Sequence, residues 1–248
     1  MKHCSSNTRR QGGFTLVEIA IVLMIVGLLI GGILRGQELI QSARVRNIID
    51  QKSAIQTAYI GFLDRYRMLP GDLTQPQATI VGNNALFSTT GGNGQLGIGT
   101  ESTLFFQNLT ATGFLSCSSC MSFVPVAPAV WAGPGPAAGI NNSPTNVYGD
   151  FLRVANELSD STAATTWFDP SATVLNHLVL YTGGTIPSKV LAEVDRKADD
   201  AVPGTGQLRF SPVGGSAVGV CTANLIASPA TSTWANPNQD NCAGAWLF

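Results

Sequence analysis

The sequence predicts an α+β fold, in which one long N-terminal helix precedes an antiparallel sheet domain. Apolar residues follow a helical spacing from Phe14 to Arg67, and no proline interrupts them. Beyond residue 68, short apolar or alternating runs are separated by Gly and Pro, as antiparallel strands are. The 248 residues, of which 27 are Gly and 13 are Pro, suit one main domain with an appendage and long loops.

Residues 14–34, the first part of the predicted helix, have the length and composition of a membrane span. Every residue from Phe14 to Leu34 is apolar or small except Thr15 and Glu18. As a helix this segment measures about 31 Å, which matches the hydrocarbon core of a bilayer. A cleaved secretory signal has a shorter apolar region that ends in a small-x-small site. The sequence therefore predicts a transmembrane helix that is retained.

The same segment carries a motif. GGFTLVEIAIVLMIVGLLIGGIL, which follows a short basic leader, resembles the N-terminal signature of type IV prepilins and type II secretion pseudopilins. The resemblance implies that a prepilin peptidase removes residues 1–13 by cutting after Gly13. It also implies that Phe14 becomes an N-methylated N-terminus and that Glu18 guides assembly.

Glu18 needs a physical reason to stay among apolar neighbours. If cleavage exposes the amine of Phe14 at the membrane, both charges are costly there unless they are paired. Within one helix the two residues lie about 6 Å apart along the axis, so an amine on a neighbouring subunit is at least as suitable a partner. The alternative is an isolated carboxylate that reaches the membrane interface, but Glu is short for that role.

Residues 35–67 continue the helix with an apolar stripe. Apolar residues from Leu39 to Tyr66 recur every three or four positions, and Arg, Gln and Lys lie between them. This half is expected to pack on a domain, whereas residues 14–34 lie in lipid or in a filament core. Pro70 in the segment MLPGDL is expected to end the helix. LPGDL after such a helix also recurs in prepilin-like proteins.

Residues 68–248 are expected to form the globular domain. A short amphipathic helix ending at Gly113 and a second helix over 187–200 are predicted from their spacing. The predicted strands lie within DFLRVANEL, NHLVLYTG, GQLRFSPV and SAVGVCTANLI. Residues 124–149 are rich in Pro and Gly and are predicted to form a long loop, in which Trp131 is expected to fold back onto the domain.

Four cysteines remain when the leader and its Cys4 are removed, an even number that suits a domain outside the cytoplasm. Three connectivities are possible, and the local one, Cys117 with Cys120 and Cys221 with Cys242, is favoured. Relatives in the resembled family often link their C-terminal region in this way. A redox or zinc site at CSSC lacks a thioredoxin-like context and nearby further ligands.

Other features argue against catalysis and nucleic-acid binding. GGNGQLGIG, residues 91–99, is not followed by the Lys-Ser/Thr of a phosphate-binding loop. His177 lies in an apolar strand pattern, and no GxSxG or HExxH motif occurs. The formal net charge is -1, with no run of basic residues longer than Arg9 and Arg10. We therefore expect no enzymatic activity and no nucleic-acid partner.

Three acids near the C-terminus form a candidate metal site. Residues 192–209, AEVDRKADDAVPGTGQLR, resemble a D-x-K-x-D-D-G-x-P-x-x-G pattern of prepilin-like proteins, with Ala201 in place of Gly. The resemblance implies that Asp195, Asp199 and Asp200 offer oxygens to Ca²⁺, which some pseudopilins hold in a C-terminal loop. The alternative is a solvated helix end, because Ca²⁺ prefers six to eight oxygens.

Taken together, the resemblance implies a major or minor subunit of a type IV pilus-like filament. The alternatives are a pseudopilin of a type II secretion system and a membrane-tethered redox protein that uses CSSC. The implied partners are copies of the chain or related subunits, the prepilin peptidase and an inner-membrane assembly platform. The implied location is a single pass through the bacterial inner membrane with the domain in the periplasm, followed by the filament.

Overall fold

The computed structural model describes residues 15–82, 87–88, 91–97, 100–121, 143–156, 177–211, 219–223, 229–234 and 239–248. It confirms the predicted α+β class: a long helix, α1 (Leu16–Tyr66), precedes an antiparallel sheet. The chain divides into two compact units, Met1–Ala43 and Arg44–Phe248. We call them the N-terminal unit and the domain, and α1 contributes to both.

The described part of the N-terminal unit is helical from Leu16 onward. All side chains from Leu16 to Arg35 are exposed, and the apolar ones among them include Met24 and Leu28. By length and composition, α1 is able to cross a membrane. Nothing in the described chain covers this apolar surface.

Within the domain, α1 presents an apolar stripe, as predicted. The prediction that the stripe begins at Leu39 is wrong, because Leu39 and Ile40 are exposed. The buried residues are spaced by three, four or seven positions: Val45, Ile48, Ile55, Ala58 and Phe62. The helix ends at Tyr66, ahead of the proline that was expected to end it, because Arg67 adopts a left-handed conformation (φ 56°). The N–H of Arg67 donates to the carbonyl of Leu63 at 2.9 Å, as in a left-handed helix cap.

Three shorter α-helices follow in the described part of the domain: α2 (Gln75–Val81), α3 (Thr100–Ala111) and α4 (Ser188–Ala198). The last two were predicted. The prediction that α3 is amphipathic is wrong, because nine consecutive residues, Glu101–Leu109, are buried. A helix without an exposed stripe is an interior element of a domain.

The main sheet has four antiparallel strands in the order β1-β2-β6-β3. Its strands are β1 (Arg153–Asn156), β2 (Leu178–Tyr181), β3 (Leu208–Ser211) and β6 (Ala243–Leu247). The last strand, β6, lies in the interior of the sheet, where Trp246 is opposite both Leu180 and Leu208. The sequence analysis did not identify β6. A separate ribbon pairs β4 (Thr222–Ala223) with β5 (Thr233–Trp234).

Disulfides join the two local cysteine pairs that the sequence analysis favoured. Cys117 is bonded to Cys120, with 5.3 Å between their Cα atoms, beside the short helix Ser119–Met121. Cys221 is bonded to Cys242, with 5.9 Å between Cα atoms, and this bond ties the ribbon to the start of β6. Residues 124–142 of the predicted long loop, Trp131 included, lie outside the described residues.

Candidate functional site

The start of α1 places Glu18 against Thr15. The backbone N–H of Thr15 donates to Glu18 Oε2 at 2.9 Å, and the hydroxyl of Thr15 donates to the same oxygen at 3.0 Å. In return, the N–H of Glu18 donates to Thr15 Oγ1 at 3.3 Å. Thr15 also accepts the first helical bond, from the N–H of Ile19 to its carbonyl at 3.4 Å. These bonds form a capping box, with Thr15 as the N-cap and Glu18 three residues later.

This geometry gives Glu18 a local role that the sequence analysis missed. The pattern T-x-x-E before an apolar run is the signal that predicts such a box, and Thr15-Leu16-Val17-Glu18 contains it. Gly13 and Phe14, the residues between which cleavage is predicted, lie outside the described residues. Pairing of Glu18 with a terminal amine therefore stays a prediction.

Asp72 of the LPGDL segment binds the backbone of the glycine-rich stretch, residues 91–97. The carboxylate of Asp72 accepts N–H bonds from Gly92 and Gly94 at 2.7 Å each and from Asn93 at 3.3 Å. Gly92 and Gly94 have φ of 88° and 77°, so successive N–H groups converge in an anion-binding concavity. The anion held there is the chain's own side chain. The absence of nucleotide binding at residues 91–99 stays a prediction.

The three acids near the C-terminus do converge. Oxygens of Asp195, Asp199 and Asp200 lie within 4.8 Å of one another. Asp195 is fully buried on α4, and its carboxylate accepts from Trp234 Nε1 at 2.7 Å and from the N–H of Ala201 at 3.2 Å. These bonds join α4, the loop after it and β5.

The other two acids organise the loop between α4 and β3. Asp199 Oδ2 accepts the N–H of Gln207 and, at 2.8 Å, that of Leu208. Asp200 accepts the N–H of Val202 at 2.9 Å and the hydroxyl of Thr205 at 2.6 Å. Side chains that bond backbone N–H groups a few residues ahead stabilise turns.

The backbone conformation at positions 201 and 206 explains why the D-x-K-x-D-D-G-x-P-x-x-G pattern has glycine at these two places. Ala201, where glycine is common in that pattern, has φ of 67°, a conformation that favours glycine. Gly206 has φ of 74°, and a Cβ there would lie 2.6 Å from Cγ of Asp199. The loop thus requires glycine at position 206 for close packing on the carboxylate.

Electrostatics distinguish Asp195 from its neighbours. Burial raises the pKa of Asp195 to about 6 from its usual 3.8, and the charges of Asp200 and Asp199 act in the same direction. The bonds from Trp234 and Ala201 partly oppose this increase. The nearest bases in the sequence do not pair with the cluster. Instead, Arg196 and Lys197 bind Glu193, and the hydrogen bond from Arg196 is the main cause of the lowered pKa of Glu193.

The acid cluster has a structural role with or without a cation. Five of its six carboxylate oxygens accept hydrogen bonds from the described residues. An oxygen has a second lone pair, so a hydrogen bond does not prevent it from binding a metal ion. Calcium binding by these three acids stays a prediction.

Comparison with known proteins assigns the N-terminal segment. Residues 8–34 match the prokaryotic N-terminal methylation motif, which is the prepilin-type signature. No curated protein and no solved structure matches the chain. The matched residues include the uncovered apolar start of α1 and the capping box formed by Thr15 and Glu18.

Proposed function

We propose that the chain is a structural subunit of a type IV pilus-like filament, assembled through its N-terminal helix. The observation that carries this proposal is the coincidence of the methylation motif with an apolar helix that the described chain leaves exposed. A helix that is apolar on all sides is stable only in lipid or against other helices. A membrane-anchored precursor and a helical filament core supply these two environments in turn.

Processing begins with the leader. The peptidase cuts after Gly13, whose missing Cβ leaves room for a close-fitting cleft, and Phe14 becomes the methylated N-terminus. The subunit waits in the inner membrane with its domain in the periplasm. An assembly platform then adds it to the filament, where Glu18 meets the amine of a neighbouring chain.

A pseudopilin of a type II secretion system is the second candidate, because the methylation motif is common to both kinds of subunit. Deletion of the gene separates the two. Loss of surface filaments supports the pilus, whereas periplasmic retention of secreted proteins supports the pseudopilus.

Two variants test the proposal in a strain that lacks the wild-type copy. Gly13→Val is expected to insert in the membrane and to keep its leader. Glu18→Ala is expected to be cleaved and yet to give few or no filaments. Mass spectrometry of the wild type should find chains that begin at methylated Phe14. A mature chain that begins beyond Leu34, or a normal filament yield from Glu18→Ala, contradicts the proposal.

A further inference from the structure

Both donors of Thr15 meet the same oxygen of Glu18. The N–H and the hydroxyl bind Oε2 at 2.9 and 3.0 Å, while the described residues give no hydrogen bond or ion pair to Oε1. Glu18 is exposed, so Oε1 is accessible from outside the chain. Among the described residues, the carboxylate is thus held through Oε2 by its own helix, and Oε1 has no partner.

This arrangement reduces the cost of a contact with a second chain. A free glutamate side chain samples many rotamers, and holding it in one of them costs about 0.5–1.5 kcal/mol when a partner binds. The capping box has already selected one rotamer before any partner arrives. It also satisfies part of the carboxylate in a subunit that has not yet been assembled.

We propose that Thr15 is a positioning residue for assembly, which holds Glu18 through Oε2 and leaves Oε1 to accept the terminal amine of a neighbouring copy. This inference rests on the proposed function. The proposed function requires Gly13 and Phe14 for cleavage and Glu18 for charge pairing. The inference adds a role for Thr15, which neither step requires.

Thr15→Val is the principal test, because valine keeps the shape of threonine and loses the hydroxyl. In a strain without the wild-type copy, we expect normal cleavage and a filament yield about two- to tenfold lower, the factor that corresponds to reordering one side chain. Thr15→Ser keeps the hydroxyl and should restore the yield. Glu18→Gln keeps an oxygen for the cap but loses the charge, and it should give no filaments.

Amide exchange in detergent micelles reports on the box itself. The N–H of Glu18 should be protected in the wild type and in Thr15→Ser, and it should lose protection in Thr15→Val. A wild-type filament yield from Thr15→Val while Glu18→Ala fails overturns this inference and leaves the proposed function intact. Equal losses from Thr15→Val and Thr15→Ser also overturn it. Normal filaments from Glu18→Ala instead overturn the proposed function.

Discussion

The two units of the chain use one helix in opposite ways. In the N-terminal unit, α1 is apolar on all sides from Ile19 to Leu34 and exposed there, as at Leu28 with 78% of its surface accessible. In the domain, the same helix is apolar along one stripe, and Phe62 on that stripe is fully buried. The domain therefore provides its own apolar environment, whereas the N-terminal unit needs one from lipid or from other chains.

Carboxylates show the same contrast. In the domain, Asp72 and Asp195 are buried and hold loops together through several N–H donors. In the N-terminal unit, Glu18 is exposed and bonds to Thr15 alone among the described residues. A polar group that is satisfied internally stabilises a fold, and one that is left half open is available to a partner.

The largest effect should come from truncating the two halves of α1. Phe62→Ala removes a buried ring and is expected to destabilise the domain by about 3–5 kcal/mol. Leu28→Ala removes a similar amount of apolar surface from an exposed site and should leave the melting midpoint in detergent micelles unchanged. Equal decreases in the melting midpoint of the two variants would show that Leu28 supports the folded chain as much as Phe62 does, which contradicts the difference between the two units.

A smaller effect is expected at the glycine that packs on the acid loop. Gly206→Ala places a Cβ against Asp199 at a positive φ and should cost about 2–3 kcal/mol. Gly94 has a similar φ of 77° with nothing within 4 Å of a built Cβ, so Gly94→Ala should cost about 1 kcal/mol. Urea unfolding of a fragment from about residue 40 measures both. Similar losses of unfolding free energy in the two variants would show that the positive φ alone, and not the contact with Asp199, destabilises Gly206→Ala.

The buried acid predicts how the stability of the domain depends on pH. Because burial raises the pKa of Asp195 to about 6 in the folded chain, from its usual 3.8, the folded state binds the proton more tightly than the unfolded state. Its contribution therefore becomes more favourable as pH falls, by about 1 kcal/mol between pH 7.5 and 5. In melts recorded with chelator, the stability of Asp195→Asn should lack the increase that protonation of Asp195 gives between pH 7.5 and 5. An unchanged pH slope in that variant would contradict the assignment.

Calcium should give the smallest change. If the acid cluster binds Ca²⁺ only when folded, calcium at about four times its dissociation constant stabilises the domain by about 1 kcal/mol. Melts of the same fragment with calcium and with chelator measure this shift, and Asp199→Asn should abolish it. Identical curves for the wild type would show that the acids serve the loop alone. The domain would then be stabilised by its own contacts alone, without a metal ion, in contrast to the exposed N-terminal unit.

Local patterns carried most of what the sequence predicted correctly. The apolar run to Leu34, the stripe that follows it and the helix around Val190 are each visible within a few turns of chain. The capping box was equally local, and T-x-x-E would have revealed it. The resemblance to a prepilin-like pattern brought Asp195, Asp199 and Asp200 into consideration, although their hydrogen bonds to Trp234 and Gln207 depend on the folded loop.

Long-range features were not accessible from the sequence. Asp72 lies twenty residues before the glycines that bind it, and no local pattern links them. The burial of α3 depends on how neighbouring elements surround it, so its polar residues suggested an exposed face that does not exist. Strand β6, AGAWL, is short and contains two alanines and a glycine, which give a weak strand signal.

The place of β6 in the sheet sets an order of events as the domain folds. Strands β2 and β3 each pair with β6, so neither gains its full set of neighbours until the segment ending at Leu247 is available. Until this last segment is in place, the rest of the domain lacks the middle of its sheet and the disulfide partner of Cys221, which is Cys242. A chain that ends a few residues early therefore leaves one edge of β2 and one edge of β3 without a partner strand, and open strand edges favour aggregation.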